Sequence, residues 1–200
     1  MKYLIFALLT FASVPCFSLS EGDRLEISRA SEGAPSHVTK DATFLKFRDG
    51  QFIPIKKGKN NFTCAVVHDP NGRYEPSCFN EQARRTVLPA YELHMKSLYE
   101  GKSYDETYKI VEEAFRAGKL PTAETAALVY MMSPNNKMFY NGKLYPTPVH
   151  HMYFYPKLKS DVFSLGEGSV SLWQGFPHLS AVIVTIDKPE DHNSANHGTD

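Results

Sequence analysis

The chain has 200 residues, with 22 basic and 22 acidic side chains and 42% hydrophobic residues. That length suits one domain with a real core, and the hydrophobic content is ordinary for a globular protein. A neutral balance without basic runs argues against nucleic acid as a partner, and equally against an electrostatic site on a membrane surface.

Met1-Lys2-Tyr3 opens the chain, followed by an apolar run from Leu4 to Val14. The run falls well short of the roughly 20 residues that span a bilayer. Ser18 and Ser20 stand at the −3 and −1 positions of a cut before Glu21, so residues 1–20 read as a secretory signal peptide. Pro15 before Cys16 speaks against a lipoprotein. The expectation is a secreted or periplasmic protein with no transmembrane anchor after cleavage. Beyond the leader only Cys64 and Cys78 remain, an even pair suited to a disulfide in an oxidising compartment. Their spacing matches no Cys-x-x-Cys metal knuckle. A bridge would close a 15-residue loop, worth about 3 kcal/mol in the chain-entropy model.

Residues 21–42 are polar and broken at Gly33-Ala34-Pro35-Ser36, and read as a flexible N-terminal arm with one helical turn at Arg24–Ala30. The domain spans 43–186. Phe44–Phe47 and Gln51–Ile55 flank Asp49-Gly50, a strong hairpin signal, with Pro54 placing the second strand at an edge or bulge. Phe62–Val67 is a third strand. Asn61-Phe62-Thr63 matches a glycosylation sequon, of consequence only in a eukaryotic host. Asp69-Pro70-Asn71-Gly72 is a tight turn without the further ligands of a calcium loop.

Asn80 caps a short helix, Glu81–Val87, which Pro89 is expected to end or kink. A second helix runs from Ala90 to Glu100 with Tyr91, Met95 and Leu98 as its apolar stripe and His94 at the boundary. Ser103-x-x-Glu106 is a capping box for a third helix to Ala117, burying Tyr104, Tyr108, Val111 and Phe115. Gly101-Lys102-Ser103 lacks the upstream glycine of a phosphate-binding loop.

Ala126–Met132 reads as a strand buried on both faces, or a short helix. Residues 135–147 form a turn-rich excursion around Asn141-Gly142. His150–Tyr155 is a strand with His150, Met152 and Phe154 on one face and His151, Tyr153 and Tyr155 on the other. Gly166-x-Gly168 opens no helix, and Gly168-Ser169 is no nucleophile elbow. Ala181–Ile186 is a central strand. Residues 187–200, with His192 and His197, read as a disordered polar tail. The whole is an α+β domain: a mostly antiparallel sheet of five or six strands, with helices between the third and fourth strands on one face.

Gly58-Lys59-x-Asn61-Phe62-Thr63-Cys64, Cys78-Phe79-Asn80, Tyr130-Met131-Met132-Ser133-Pro134, His150-His151-Met152-Tyr153 and Gly175-x-Pro177-His178 occur in that order. Over about residues 43–186 the chain resembles a group of uncharacterised secreted bacterial proteins. The resemblance implies export and carries no activity, cofactor or catalytic residue.

Two readings follow from the residues themselves. In the first, the protein is a binding or envelope-associated domain whose Tyr130, Tyr153, Tyr155 and Trp173 line a face for a small apolar ligand. In the second, His150 or His151 joins His178 in a small hydrolytic or metal site for zinc or copper. Thioethers of Met131, Met132 and Met152 would favour copper(I). If the strands beginning at His151 and His178 are antiparallel neighbours, their imidazoles stand roughly 15 Å apart, too far to share an ion. The plainer roles are strand-end histidines capping backbone carbonyls and methionines filling the core.

Overall fold

A computed structural model describes residues 19–155, 170–173 and 177–186. Helix α1 (Glu21–Ser31) and the short α2 (Ser36–Thr39) lead into β1 (Thr43–Arg48), β2 (Gln51–Lys56), β3 (Thr63–His68) and β4 (Tyr74–Phe79). Helices α3 (Glu81–Tyr99) and α4 (Tyr104–Arg116) follow. The chain then returns to sheet in β5 (Ala127–Met131), β6 (Lys137–Tyr140), β7 (Lys143–Pro146) and β8 (His150–Tyr155). After β9 (Val170–Trp173), a 3-10 turn at Pro177–Leu179 precedes β10 (Ser180–Thr185).

The described strands form one ten-stranded sheet in the order β2-β1-β3-β4-β5-β8-β10-β9, with the β6–β7 hairpin attached to β4. Only the β1–β3 pairing is parallel among them. The fold is thus mixed α and β with a mostly antiparallel sheet, larger than the expected five or six strands. Three local expectations hold. The β1–β2 turn uses Asp49 and Gly50 at φ 52° and 81°, both positive as a tight two-residue hairpin turn requires. Edge strand β2 carries Pro54 beside a register shift at Phe44/Leu45. Ser103 and Glu106 form the capping box of α4.

The extra strands were hidden by their composition. β4 reads Tyr-Glu-Pro-Ser-Cys-Phe, with no apolar alternation, yet Glu75 to Phe79 are all buried because helices cover both of its faces. The Cα atoms of Cys64 and Cys78 stand 4.1 Å apart, directly opposite each other on β3 and β4 and joined by the disulfide. That is the close spacing of a non-hydrogen-bonded antiparallel pair, so Val66 and Pro76, two residues along, are non-hydrogen-bonded as well. The missing N–H of Pro76 therefore points away from β3. It falls where the β4–β5 ladder, limited to Cys78 and Phe79, has already ended.

The helices also depart from expectation. Residues 21–39 are not a frayed arm: Ser20 caps α1 by accepting from the Asp23 amide at 3.1 Å, and Ala30, Ala34 and Val38 are buried. Gly33 lets the end of α1 approach β4, since a Cβ there would stand 2.8 Å from the Pro76 and Ser77 backbones. α1 and α2 cover one face of the sheet, whereas α3 and α4 cover the other and follow the fourth strand rather than the third. Pro89 sits inside a continuous α3. Its missing hydrogen bond costs about 3 kcal/mol. Burial of Val87, Leu88, Tyr91 and Met95 offsets that cost, at about 1.5–3 kcal/mol for each large apolar side chain.

Candidate functional site: a cavity between the sheet and helices α3 and α4

Where β4 parts from β5, the next partner of β4 is β6, through the single pair Tyr74 and Lys137. The strands diverge there, and beneath α3 and α4 they leave a cavity of about 230 Å³. Strand alternation assigns its walls. Arg73 comes from just before β4 and Glu75 from its start, Met131 from β5, and His150 and Met152 from β8. Trp173 of β9 and Ile183 and Thr185 of β10 continue the floor, and Met138 and Phe139 of the β6–β7 hairpin close the top. From the helices come Tyr91, His94, Tyr104 and Tyr108.

One end of the cavity is charged but compensated. Glu75 Oε2 accepts from Arg73 Nε at 2.7 Å and from Arg73 Nη2, and the two side chains are only 7% and 15% exposed. Burial alone would depress the guanidinium pKa, but Glu75 raises it overall, so Arg73 stays cationic. Its guanidinium lies 5.5 Å from the centroid of the Tyr91 ring. Burial pushes the Tyr91 hydroxyl well above its ordinary pKa. Tyr104 donates to Asp69 Oδ2, and burial together with that carboxylate keeps its phenol protonated. Asp69 also accepts from the amides of Asn71 and Arg73, which ties the turn before β4 to α4.

His94 packs against the rings of Tyr104 and Tyr108 at 5.5 and 5.3 Å. Burial, with a smaller effect from Arg73, lowers its pKa to about 3, so the ring is neutral near pH 7. Far from a boundary residue, it is 1% exposed. The remaining wall is apolar, around Met131, Met152, Ile183 and Trp173. Thr147 Oγ1 is buried in the wall with no hydrogen-bond partner among the described residues.

The histidines expected to act together are dispersed. His150 faces the cavity and donates through Nδ1 to the Pro148 carbonyl at 2.8 Å. His151 lies on the opposite face between Tyr130 and Tyr153, at 6.0 and 5.3 Å, and burial lowers its pKa. His178 stands beside α4, with Nδ1 2.7 Å from Glu112 Oε1 and its ring stacked on Phe115 at 5.6 Å. The β8–β10 register pairs His151 with Val184 and Tyr155 with Ser180. His178 is therefore more than about 13 Å from His151 along the strands. No group of three His, Cys, Asp or Glu side chains able to hold a metal occurs among the described residues.

The expected ligand face divides as well. Trp173 lines the cavity, but Tyr130 packs on Phe62 and His151 across the sheet, and Tyr153 and Tyr155 share that far face. Met132 is not a wall residue, while Met131 and Met152 are. Arg73 and Glu75 carry no signal in the sequence reading, which places His94 at a helix boundary. An Arg-x-Glu spacing puts both charges on one side of a strand, a signal visible only once β4 is recognised. Residues 1–18, expected as part of a signal peptide, the stretches 156–169 with the Gly166-x-Gly168 pair and 174–176, and residues 187–200 lie outside the described residues. Among the described residues, no helix is long and apolar enough to cross a membrane. Searches of family models, curated proteins and solved structures return no match to this chain.

Proposed function

We propose that the protein is an exported binding domain that holds a small, uncharged, mostly apolar ligand between the sheet and helices α3 and α4. The division of the cavity wall carries this reading. Met131, Met152, Ile183 and Trp173 offer an apolar surface, and the charges at the other end neutralise each other. Small-ligand sites combine such walls with a few placed polar groups. The unpaired Thr147 hydroxyl gives a ligand's polar end a partner. At interior packing density, 230 Å³ accommodates on the order of ten non-hydrogen atoms. The signal-like leader and the Cys64–Cys78 disulfide support export to an oxidising compartment.

Trp173 is the only tryptophan and lines the cavity, so its emission reports occupancy. Titration with alcohols and phenols of about eight to twelve non-hydrogen atoms is expected to change that emission saturably. Ile183→Phe, which fills the space, should abolish the response. The reading fails if the wild type shows no saturable change and native mass spectrometry finds no co-purifying small molecule.

A histidine-based enzyme is the second reading, favoured by one observation. The Nδ1–H of His150 is fixed on the Pro148 carbonyl, so the neutral tautomer carries its lone pair on Nε2, as a general base or metal ligand requires. Met152, on the same face, would be its companion toward copper. Turnover of a panel of chromogenic esters, or stoichiometric zinc or copper by elemental analysis, lost in His150→Gln, would support it. Absence of both in the wild type removes it.

A further inference from the structure

We propose that the β6–β7 hairpin docks the protein onto the surface of an anionic phospholipid bilayer. Four of the ten large hydrophobic side chains exposed among the described residues fall within this hairpin: Met138, Tyr140, Leu144 and Tyr145. Register pairs Met138 with Tyr145 and Tyr140 with Lys143, so Met138, Tyr140, Lys143 and Tyr145 share the outward face, opposite Phe139 and Leu144. The inward face is held down. Phe139 stacks on Tyr104 at 5.4 Å, and Leu144 covers Gly72, where a Cβ would stand 2.9 Å from its Cδ1.

The charge of this region differs from that of the whole chain. No acidic residue occurs between Glu124 and Asp161, and neither Lys137 nor Lys143 pairs with a carboxylate among the described residues. Glu32 is engaged by Ser133 and Asn135, and Asp69 beneath the hairpin by Tyr104 and the amides of Asn71 and Arg73. Neutrality of the full sequence therefore conceals a local face of Met138, Tyr140, Tyr145 and the unpaired Lys143, with Lys137 at the hairpin's base on the Phe139 side. Tyrosine rings settle at the lipid–water boundary, lysine stems lie along apolar surface, and each ammonium is drawn to anionic headgroups. The hairpin joins the sheet through the single Tyr74–Lys137 pair, so its tip is free to meet a flat surface. This inference stands independently of what the cavity holds.

The test is co-sedimentation of the purified, exported protein with vesicles of phosphatidylcholine alone or with about one quarter phosphatidylglycerol. Binding is expected to the anionic vesicles, to fall with salt, and to be much weaker on neutral ones. Lys143→Glu, which reverses a charge at the headgroup surface, should weaken it by about tenfold or more. Tyr140→Ser/Tyr145→Ser should remove it, with the thermal melt and the Trp173 response unchanged. Three results would overturn the proposal: no binding to anionic vesicles at low salt, equal binding to neutral ones, or binding indifferent to the hairpin variants. Conversion of a dimer to a monomer by the tyrosine variant would overturn it too, making the hairpin a protein–protein interface.

Discussion

The two faces of the sheet solve the same packing problem differently. Under α1 and α2, small residues, Ala30, Ala34 and Val38, meet Val66 and the Cys64–Cys78 bridge, and Gly33 lets backbone touch backbone. Under α3 and α4, long and aromatic side chains leave a space and line part of it with a buried ion pair. Small, closely fitting residues make a face that only holds the fold together. Large residues around polar groups make one that can accept a guest, at some cost in stability.

The largest effect is expected at the ion pair. Arg73→Ala strands a buried Glu75 carboxylate and should destabilise by about 3–5 kcal/mol, whereas Arg73→Met/Glu75→Leu should be much milder. Urea denaturation of both variants separates the two cases. On the other face, Cys64→Ala/Cys78→Ala should cost about 3 kcal/mol and leave the Trp173 titration unaltered. A loss of ligand response in that variant would mean the faces are not independent. Gly33→Ala drives a Cβ into the β4 backbone and should cost about 1–3 kcal/mol, read as a lower melting temperature.

A further test uses pH. His94 has a folded-state pKa of about 3, below the ordinary histidine value. The unfolded chain therefore binds the extra proton first as pH falls. Stability from this group is complete above about pH 6.5 and declines toward pH 3, by about 1.4 kcal/mol per pH unit. His94→Phe should flatten that part of the stability profile by one proton. An unchanged slope would show that the imidazole is not held neutral.

Local chemistry made some features readable. Asp49-Gly50 tolerates positive φ, Ser103 and Glu106 satisfy each other's backbone amides, and alternation in His150–Tyr155 sorts its side chains correctly between faces. α1 was not readable, because Ala30 is its one buried residue and no apolar stripe marks it. Residues 135–147 read as a turn-rich excursion, although Asn141-Gly142, at φ 46° and 76°, closes the β6–β7 hairpin. Their mostly exposed strands carry no apolar alternation to reveal them.

By itself the sequence determined the elements whose signals lie within a few residues: turns, caps, the face of each side chain on a strand, and the pair of cysteines available to join. Tertiary structure alone decided which strands distant in the chain became neighbours. It thereby placed Arg73, Glu75, His94 and His150 around one space and sent His151 and His178 elsewhere. The reason is physical: a strand's period fixes the side on which a residue points, but pairing between distant segments depends on the burial of the whole sheet.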